Sequence, residues 1–173
     1  MKKINAETID LSGWPLPDAY LIEVGRLALL WSRLENLLRN TVANLAGLEN
    51  LSDPRLYTVF KFSDFERDVQ LLEQLCAQQA ASAPNLKRYP ALAAELRAAR
   101  AAYALYIHGG MTPNPGDGEI EMDVPRADDP NRTETRKVSV VDIRRAVLLI
   151  DETQHSLYNM VAALERPDRI VME

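Results

Sequence analysis

Two long stretches, one near each end of the chain, repeat apolar residues at steps of three and four. From residue 17 to about residue 46 these positions are Tyr20, Val24, Leu27, Trp31, Leu34, Leu38, Val42 and Leu45. From residue 140 to about residue 166 they are Val140, Ile143, Val147, Ile150, Leu157, Val161 and Leu164. This spacing places each set along one face of a long α-helix. Two such helices favour nearly aligned packing in a bundle, with axes crossing at about 20°.

Shorter helices are predicted between these two. Ser52-Asp53-Pro54 can begin a short helix that continues to about Phe60. Ser63 and Glu66 form a capping-box pattern, which predicts a helix from there to about Ala80.

A further helix is predicted from Tyr89 or Pro90 to about His108, before the pair Gly109-Gly110. Its sequence is rich in alanine, and small side chains let neighbouring helices approach closely. We therefore expect this helix to lie in the centre of the bundle.

Residues 111–138 lack the helical spacing. Their first part contains two prolines and two glycines and is predicted to form a loop. Residues 119–124 alternate polar and apolar side chains, as a strand does, and residues 133–138 can form the partner strand. The predicted fold is thus all-α: an up-and-down bundle of about four main helices with a small β-hairpin insertion. Residues 17–166 form its single domain, between tails at residues 1–16 and 167–173.

Charge and composition limit the function. The net charge is −5, which disfavours a broad nucleic-acid-binding surface but does not exclude a local basic site. With one cysteine, Cys76, and two histidines, the chain can form neither an internal disulfide nor a zinc site of the usual kind, so we expect no metal and no cofactor. The sequence shows no secretory signal and no apolar run that could span a bilayer, which predicts a cytoplasmic protein without a membrane partner.

His108 is the most informative candidate for chemistry. It lies at the predicted C-terminus of a helix, where the helix dipole favours a cation, and the glycines that follow leave its ring accessible. An imidazole is suited to proton transfer near neutral pH. The alternative is that His108 only caps the helix by donating to its last carbonyl groups.

The layout resembles that of the HEPN superfamily. The resemblance is carried by Trp31-Ser-Arg33-Leu-Glu35 in the first helix, a central helix that ends in His108-Gly109, a loop, and a long final helix. HEPN domains are all-helical and usually dimeric, and many are metal-independent ribonucleases of toxin–antitoxin and phage-defence systems. The resemblance implies a homodimer, an RNA substrate and a protein partner such as an antitoxin.

The same resemblance implies roles for individual residues. The family signature is an arginine, then four to six residues, then a histidine. His108 matches the histidine and would be the general acid or base. Ala101, Ala102 and Tyr103 occupy the arginine positions, and Arg100, one step further away, would hold the phosphate. Glu35 would orient these groups, and the predicted substrate-binding residues are Arg33, Tyr103 and Tyr106.

Helix geometry opposes the pairing of Arg100 with His108. Eight residues of helix separate them by about 12 Å of rise and about 80° of rotation. Helical side chains also lean toward the N-terminus, which directs Arg100 away from His108. A cation from elsewhere could replace it, namely Arg33, Arg39, Lys61 or Arg67. Glu35 has an alternative role as well, since Arg39 lies four residues after it, at the spacing of a helical ion pair.

Two hypotheses therefore remain. The first is a HEPN-like protein with a degenerate or atypical metal-independent endoribonuclease centre. The second is a non-catalytic helical module for dimerisation or protein interaction. The missing arginine favours the second, and the helical layout favours a HEPN-like ancestry.

Overall fold

The computed structural model describes residues 16–48, 60, 63–126, 129 and 132–165. It is mostly helical, with α1 at Asp18–Leu45, α2 at Phe65–Gln79, a 3₁₀ turn at Pro84–Arg88, α3 at Tyr89–His108 and α4 at Val140–Glu165. The short helix expected from residue 52 lies outside the described residues, as do most of both tails. None of the helices so described is long and apolar enough to cross a membrane.

The two long helices lie side by side and run in the same direction. Near the start of both, Tyr20 Oη donates to the carbonyl of Val138 at 2.9 Å. Three residues further along α1, Glu23 Oε1 accepts from Arg144 Nε, in the first two turns of α4, at 2.8 Å. Because these contacts join the two N-terminal ends, α1 and α4 are parallel.

Helix α2 also runs parallel to α1, whereas α3 runs against both. The first residue of α2, Phe65, packs on Trp31 in the middle of α1, and Gln79 at its end donates to the carbonyl of Leu45 at 2.8 Å. Helix α3 reverses direction, since Arg100 in its second half lies 3.9 Å from Glu66 at the start of α2. The parallel α1 and α2 differ from the up-and-down order predicted for neighbouring main helices. Most of the connection between them, where a short helix is expected, lies outside the described residues. The short connection after α2 forces a reversal before α3.

The core lies between the four helices and contains the predicted apolar stripes. Residues from every helix are fully buried there, including Leu27, Leu34, Leu38, Val69, Leu72, Leu96, Ala99, Ile150 and Leu157. Two alanines of α3, Ala93 and Ala99, have no exposed surface, which allows α3 to pack closely on its neighbours. Cys76 is also fully buried, and this burial raises the pKa of its thiol to about 11.

The insertion is a three-stranded antiparallel sheet in the order β1-β2-β3, with β1 at Met111–Pro113, β2 at Ile120–Pro125 and β3 at Thr133–Lys137. The pairing of β2 with β3 corresponds to the predicted hairpin. Strand β1 corrects the expected loop, because Met111 pairs with Met122 and Pro113 with Ile120. A three-residue edge strand is too short to show alternation, and Pro113 is tolerated at an edge.

A second, smaller core lies beneath the sheet. The buried residues Met122, Val124, Val138 and Ile143 form it, and side chains from α1 and the end of α3 pack against it. Gly109 permits this packing: a Cβ atom there would lie 2.5 Å from Met122 Sδ and 2.3 Å from the carbonyl oxygen of Leu105. The sheet thus covers the end of the bundle where α3 terminates and α1 and α4 begin.

Side chains cap the N-termini of α4 and α2, and the cap of α2 differs from the one expected from the sequence. At the start of α4, the Ser139 amide donates to Asp142 Oδ2 at 2.9 Å, and the Asp142 amide donates back to Ser139 Oγ at 3.3 Å. At the start of α2, the N-cap is Asp64, which accepts from the Arg67 amide at 2.9 Å. The predicted capping box is therefore wrong by one residue, and Ser63 Oγ contacts the buried carboxylate of Asp68 instead.

Candidate functional site

His108 is the last residue of α3, and its side chain is exposed. Its ring meets that of Tyr103 edge to face, with centroids 6.0 Å apart and an angle of 86°. Tyr103 in turn stacks on Trp31, with centroids 4.5 Å apart and an angle of 13°. Trp31 also packs on Phe65 at 4.6 Å. A row of four rings therefore runs from the start of α2, across α1, to the exposed imidazole.

Three helices hold this row in place. Trp31 and Phe65 are buried at its inner end, and Tyr103 is half-buried. Offset and edge-to-face ring contacts add to the stabilisation that burial alone provides. The imidazole of His108 is thus exposed at the edge of a firmly packed aromatic cluster.

The capping alternative for His108 is not observed. Among the described residues, no hydrogen bond or ion pair involves its side chain. The carbonyl of Leu105 in the last turn accepts instead from the Gly109 amide at 3.1 Å. The ring is therefore available to an outside ligand.

Arg100 belongs to a different group, an ion-pair cluster between α2 and α3. Its Nη1 lies 3.9 Å from Glu66 Oε2. Arg97 contacts both Glu66 and Glu73 at 2.8 Å. The hydrogen bond from Arg97 lowers the pKa of Glu73 despite partial burial, which raises it. Within the described ranges no hydrogen bond or ion pair joins Arg100 to His108.

Glu35 is half-buried on α1, one turn after Trp31. It makes no hydrogen bond or ion pair in the part of the chain that the structure describes. The expected pair with Arg39 does not form, because Arg39 Nε donates to Asp68 Oδ2 at 3.3 Å. Asp68 is buried on α2 and can compete for this guanidinium, since its charge needs a partner.

The predicted substrate-binding residues do not share one surface. Tyr103 contacts His108, as described. Arg33 follows Trp31 by two residues, which on a helix places it about 200° away, and its exposed side chain lies on the opposite side of α1. Tyr106 is half-buried and packs against both cores. Its pKa is raised by burial and by the negative charge of Asp142, while Arg145 lowers it.

The structure also shows features that the sequence reasoning missed. Among the described residues, five large apolar side chains are between 51% and 71% exposed, and all lie on α1 or α4: Ile22, Leu29, Val141, Leu148 and Tyr158. The seven-residue steps from Ile22 to Leu29 and from Val141 to Leu148 were the available signal. They lie outside the core stripes and form a second apolar edge on each long helix.

No group of three or more histidine, cysteine, aspartate or glutamate side chains within the described residues could hold a metal ion. Comparisons of the chain with models of protein families, with curated proteins and with solved structures gave no match. The resemblance to the HEPN superfamily therefore stays a prediction, and functional proposals rest on the geometry.

Proposed function

We propose that this chain is a HEPN-like helical domain that acts as a non-catalytic protein-interaction module. The observation that carries the proposal is the separation of the three residues expected to catalyse. His108 packs on Tyr103, Arg100 lies against Glu66, and Glu35 makes no described polar contact.

RNA cleavage requires these groups to act together. A cation must stabilise charge on the phosphate while an acid or base lies within hydrogen-bonding distance of the reacting oxygen. Residues 100 and 108 are fixed on one helix with about 12 Å of rise between them. Rotation of the Arg100 side chain alone does not remove that separation.

The exposed apolar edges of α1 and α4 support an interaction role. Both helices are anchored in the core through their opposite faces, so the exposed edges are presented on a firm support. Apolar side chains displayed by packed helices are a common basis for recognition between proteins. Binding through such a surface requires no polar side chains arranged for catalysis.

A second candidate is an atypical metal-independent endoribonuclease of a toxin–antitoxin or phage-defence system. It is favoured by the imidazole of His108, which is exposed beside the Tyr103 ring and has no polar partner in the described part of the chain. An aromatic surface next to a proton-transfer group can receive an unstacked base and act on the adjacent phosphate.

An RNA-cleavage assay separates the two functions. Total RNA is incubated with purified wild-type protein in a metal chelator, in parallel with His108→Ala and with His155→Ala. His155 is a suitable control because it is exposed on α4, away from the aromatic row. We expect no cleavage by any of the three, under conditions where a metal-independent ribonuclease digests the same RNA. Cleavage that is lost in His108→Ala and retained in His155→Ala would overturn the proposal in favour of the ribonuclease.

A further inference from the structure

Strand β3 lies at one edge of the three-stranded sheet. Among the described residues, no strand pairs with the side of β3 that faces away from β2. The side chains of β3 are exposed except for the half-buried Glu134. Because a strand edge in contact with water carries backbone amides and carbonyls that can pair with a further strand, β3 is a candidate binding site.

Hydrogen bonds at both ends of the β2–β3 pair show which residues of β3 bond to β2. At one end, the Val138 amide donates to the carbonyl of Ile120 at 2.8 Å. At the other end, the carbonyl of Arg132 accepts from the Arg126 amide at 2.8 Å. In an antiparallel pair, the bonds to one neighbour come from every second residue. The even-numbered residues from 132 to 138 therefore direct their backbone groups toward β2.

The backbone groups of Thr133, Thr135 and Lys137 consequently point to the open edge. No hydrogen bond to these groups is found within the described ranges. The same alternation holds on the other side of the sheet, where the Asn114 amide donates to the carbonyl of Glu119 at 2.7 Å. The open edge thus offers three amide donors and three carbonyl acceptors in regular strand geometry.

The face of the sheet that is turned away from the bundle is mainly acidic. The buried residues of β2 alternate with Glu121 and Asp123, which therefore face outward. Two further carboxylates lie on the loop before β2, where Lys137 contacts Glu119 and lies 3.5 Å from Asp117 Oδ2. These four carboxylates outnumber the one ammonium group among them, so this face attracts cations.

Thr135 lies between this acidic surface and the open edge. It is directly opposite Asp123, and its Oγ1 donates to Asp123 Oδ1 at 2.8 Å. A residue of an added strand directly opposite Thr135 would lie on the same face of the sheet. Neighbouring strands are only about 4.8 Å apart, and threonine is short, so a lysine or arginine at that position can extend over Thr135 toward Asp123.

We propose that β3 binds an extended segment of a partner protein that carries lysine or arginine at alternate positions. The segment adds a fourth, antiparallel strand that bonds to the backbone of Thr133, Thr135 and Lys137. Its cationic side chains lie on the acidic face near Asp123. In this mode of recognition, backbone hydrogen bonds give affinity and alternate side chains give specificity. The inference rests on the proposed interaction function and adds a site apart from the exposed apolar residues of α1 and α4.

A second copy of the chain fits this edge poorly. Antiparallel pairing of two β3 strands would bring two acidic faces side by side, and like charges oppose such pairing. On the face of β3 turned toward the bundle, Arg136 Nη2 lies 2.7 Å from Glu134 Oε1, so these two charges are matched within the strand. The preference for a basic partner therefore comes from the outward face.

Short peptides test the edge directly. The probe is a fluorescein-labelled peptide that alternates lysine and threonine, and fluorescence anisotropy with the full chain measures its binding. We expect saturable binding with a dissociation constant on the order of 100 μM. The same peptide with glutamate in place of each lysine should bind at least about tenfold more weakly. A lysine peptide methylated on its lysine amides, which face β3 in this register, should also lose at least about tenfold, because it cannot donate to the edge.

Variants of the chain test the same contacts. Thr135→Pro removes the central donor of the edge, leaves the bonds to β2 in place and should weaken binding at least about fivefold. Thr135→Val, which keeps the amide, is its matched control. Asp123→Asn should weaken binding roughly fivefold, whereas Glu152→Gln, the same charge change at an exposed position on α4, should leave it unchanged. Circular dichroism establishes that the variants are folded.

The outcomes separate this proposal from the proposed function. No binding of the lysine peptide, or equal binding of its methylated form, overturns the β3 site and leaves an interaction role through another surface. Self-association in analytical ultracentrifugation that Thr135→Pro abolishes would make a second copy the occupant, which also overturns it. RNA cleavage that depends on His108 overturns the proposed function instead, whatever the peptides do.

Discussion

The side of the bundle between α2 and α3 differs from the outer side of α1 and α4 in whether its surface side chains have partners within the chain. Between α2 and α3, the charged side chains are matched within the chain, as Arg97 is by Glu66 and Glu73. On the outer sides of α1 and α4, by contrast, apolar side chains such as Leu29 and Leu148 are left in contact with water. The charged residues between α2 and α3 have partners within a single chain. The exposed apolar residues of α1 and α4 are removed from water only when another molecule covers them.

The largest expected effect comes from Trp31 on α1, whose ring packs in the core against side chains of α2 and α3. Trp31→Ala removes ring contacts with both Phe65 and Tyr103 and leaves a cavity. We expect the free energy of unfolding to fall by about 3–5 kcal/mol, measured by chemical denaturation. Trp31→Phe keeps part of the packing and is expected to lose less. Equal losses for the two variants would show that a phenyl ring at residue 31 recovers none of the packing that the indole provides.

Gly109 tests the junction between α3 and the sheet. Gly109→Ala introduces a Cβ against Met122 and the Leu105 carbonyl, so we expect a loss of about 1–3 kcal/mol in the free energy of unfolding. Gly110→Ala is the control, because a Cβ there meets nothing within 4 Å. The same loss in both variants would contradict the steric explanation.

Gln154 tests the packing of α4. Its Oε1 atom is buried and has no hydrogen-bond partner among the described residues. Replacing the amide by an apolar group removes an unsatisfied acceptor, so Gln154→Leu is expected to stabilise the chain by about 1 kcal/mol in thermal or chemical unfolding. Gln78→Leu, at an exposed position on α2, is expected to change stability little. A destabilised Gln154→Leu variant would mean that the amide has a partner in solution.

The smallest effect concerns Glu73 and pH. Its pKa is lowered in the folded chain, so its contribution is present above the unfolded pKa and is lost as pH falls through the folded pKa. Glu73→Gln should therefore cost about 0.5 kcal/mol at neutral pH, since the pair is partly exposed, and less in acid. Denaturation curves at acidic and neutral pH measure this, and added salt should reduce the difference. A loss that is the same at both pH values would argue against the ion pair as its cause.

Sequence patterns predicted the long helices closely but not their directions. The stripe in α1 indicated residues 17–46, and the helix spans Asp18–Leu45. Periodicity identifies a buried face and carries no information about whether the neighbouring helix is parallel. The direction of α2 depends on the connection before it. Strand β1 was missed because pairing with β2, which is a tertiary contact, defines it.

For the candidate site, the sequence predicted the position of His108 on its helix but not the residues that surround it. His108 was predicted at a helix end, and it is there. The edge-to-face contact with Tyr103 and the diversion of Arg39 to Asp68 depend on three-dimensional packing between helices. The spacing of residues along α1 alone could not predict that Asp68 of α2 competes with Glu35 for Arg39.

The pairing of α1 with α4 also constrains how this fold can form during synthesis. Contacts such as that of Tyr20 with Val138 connect residues 118 positions apart. On the ribosome, the side of α1 that receives α4 therefore stays uncovered until α4 itself has been synthesised. During translation this surface is open to chaperones, and the core closes only once α4 has left the ribosome.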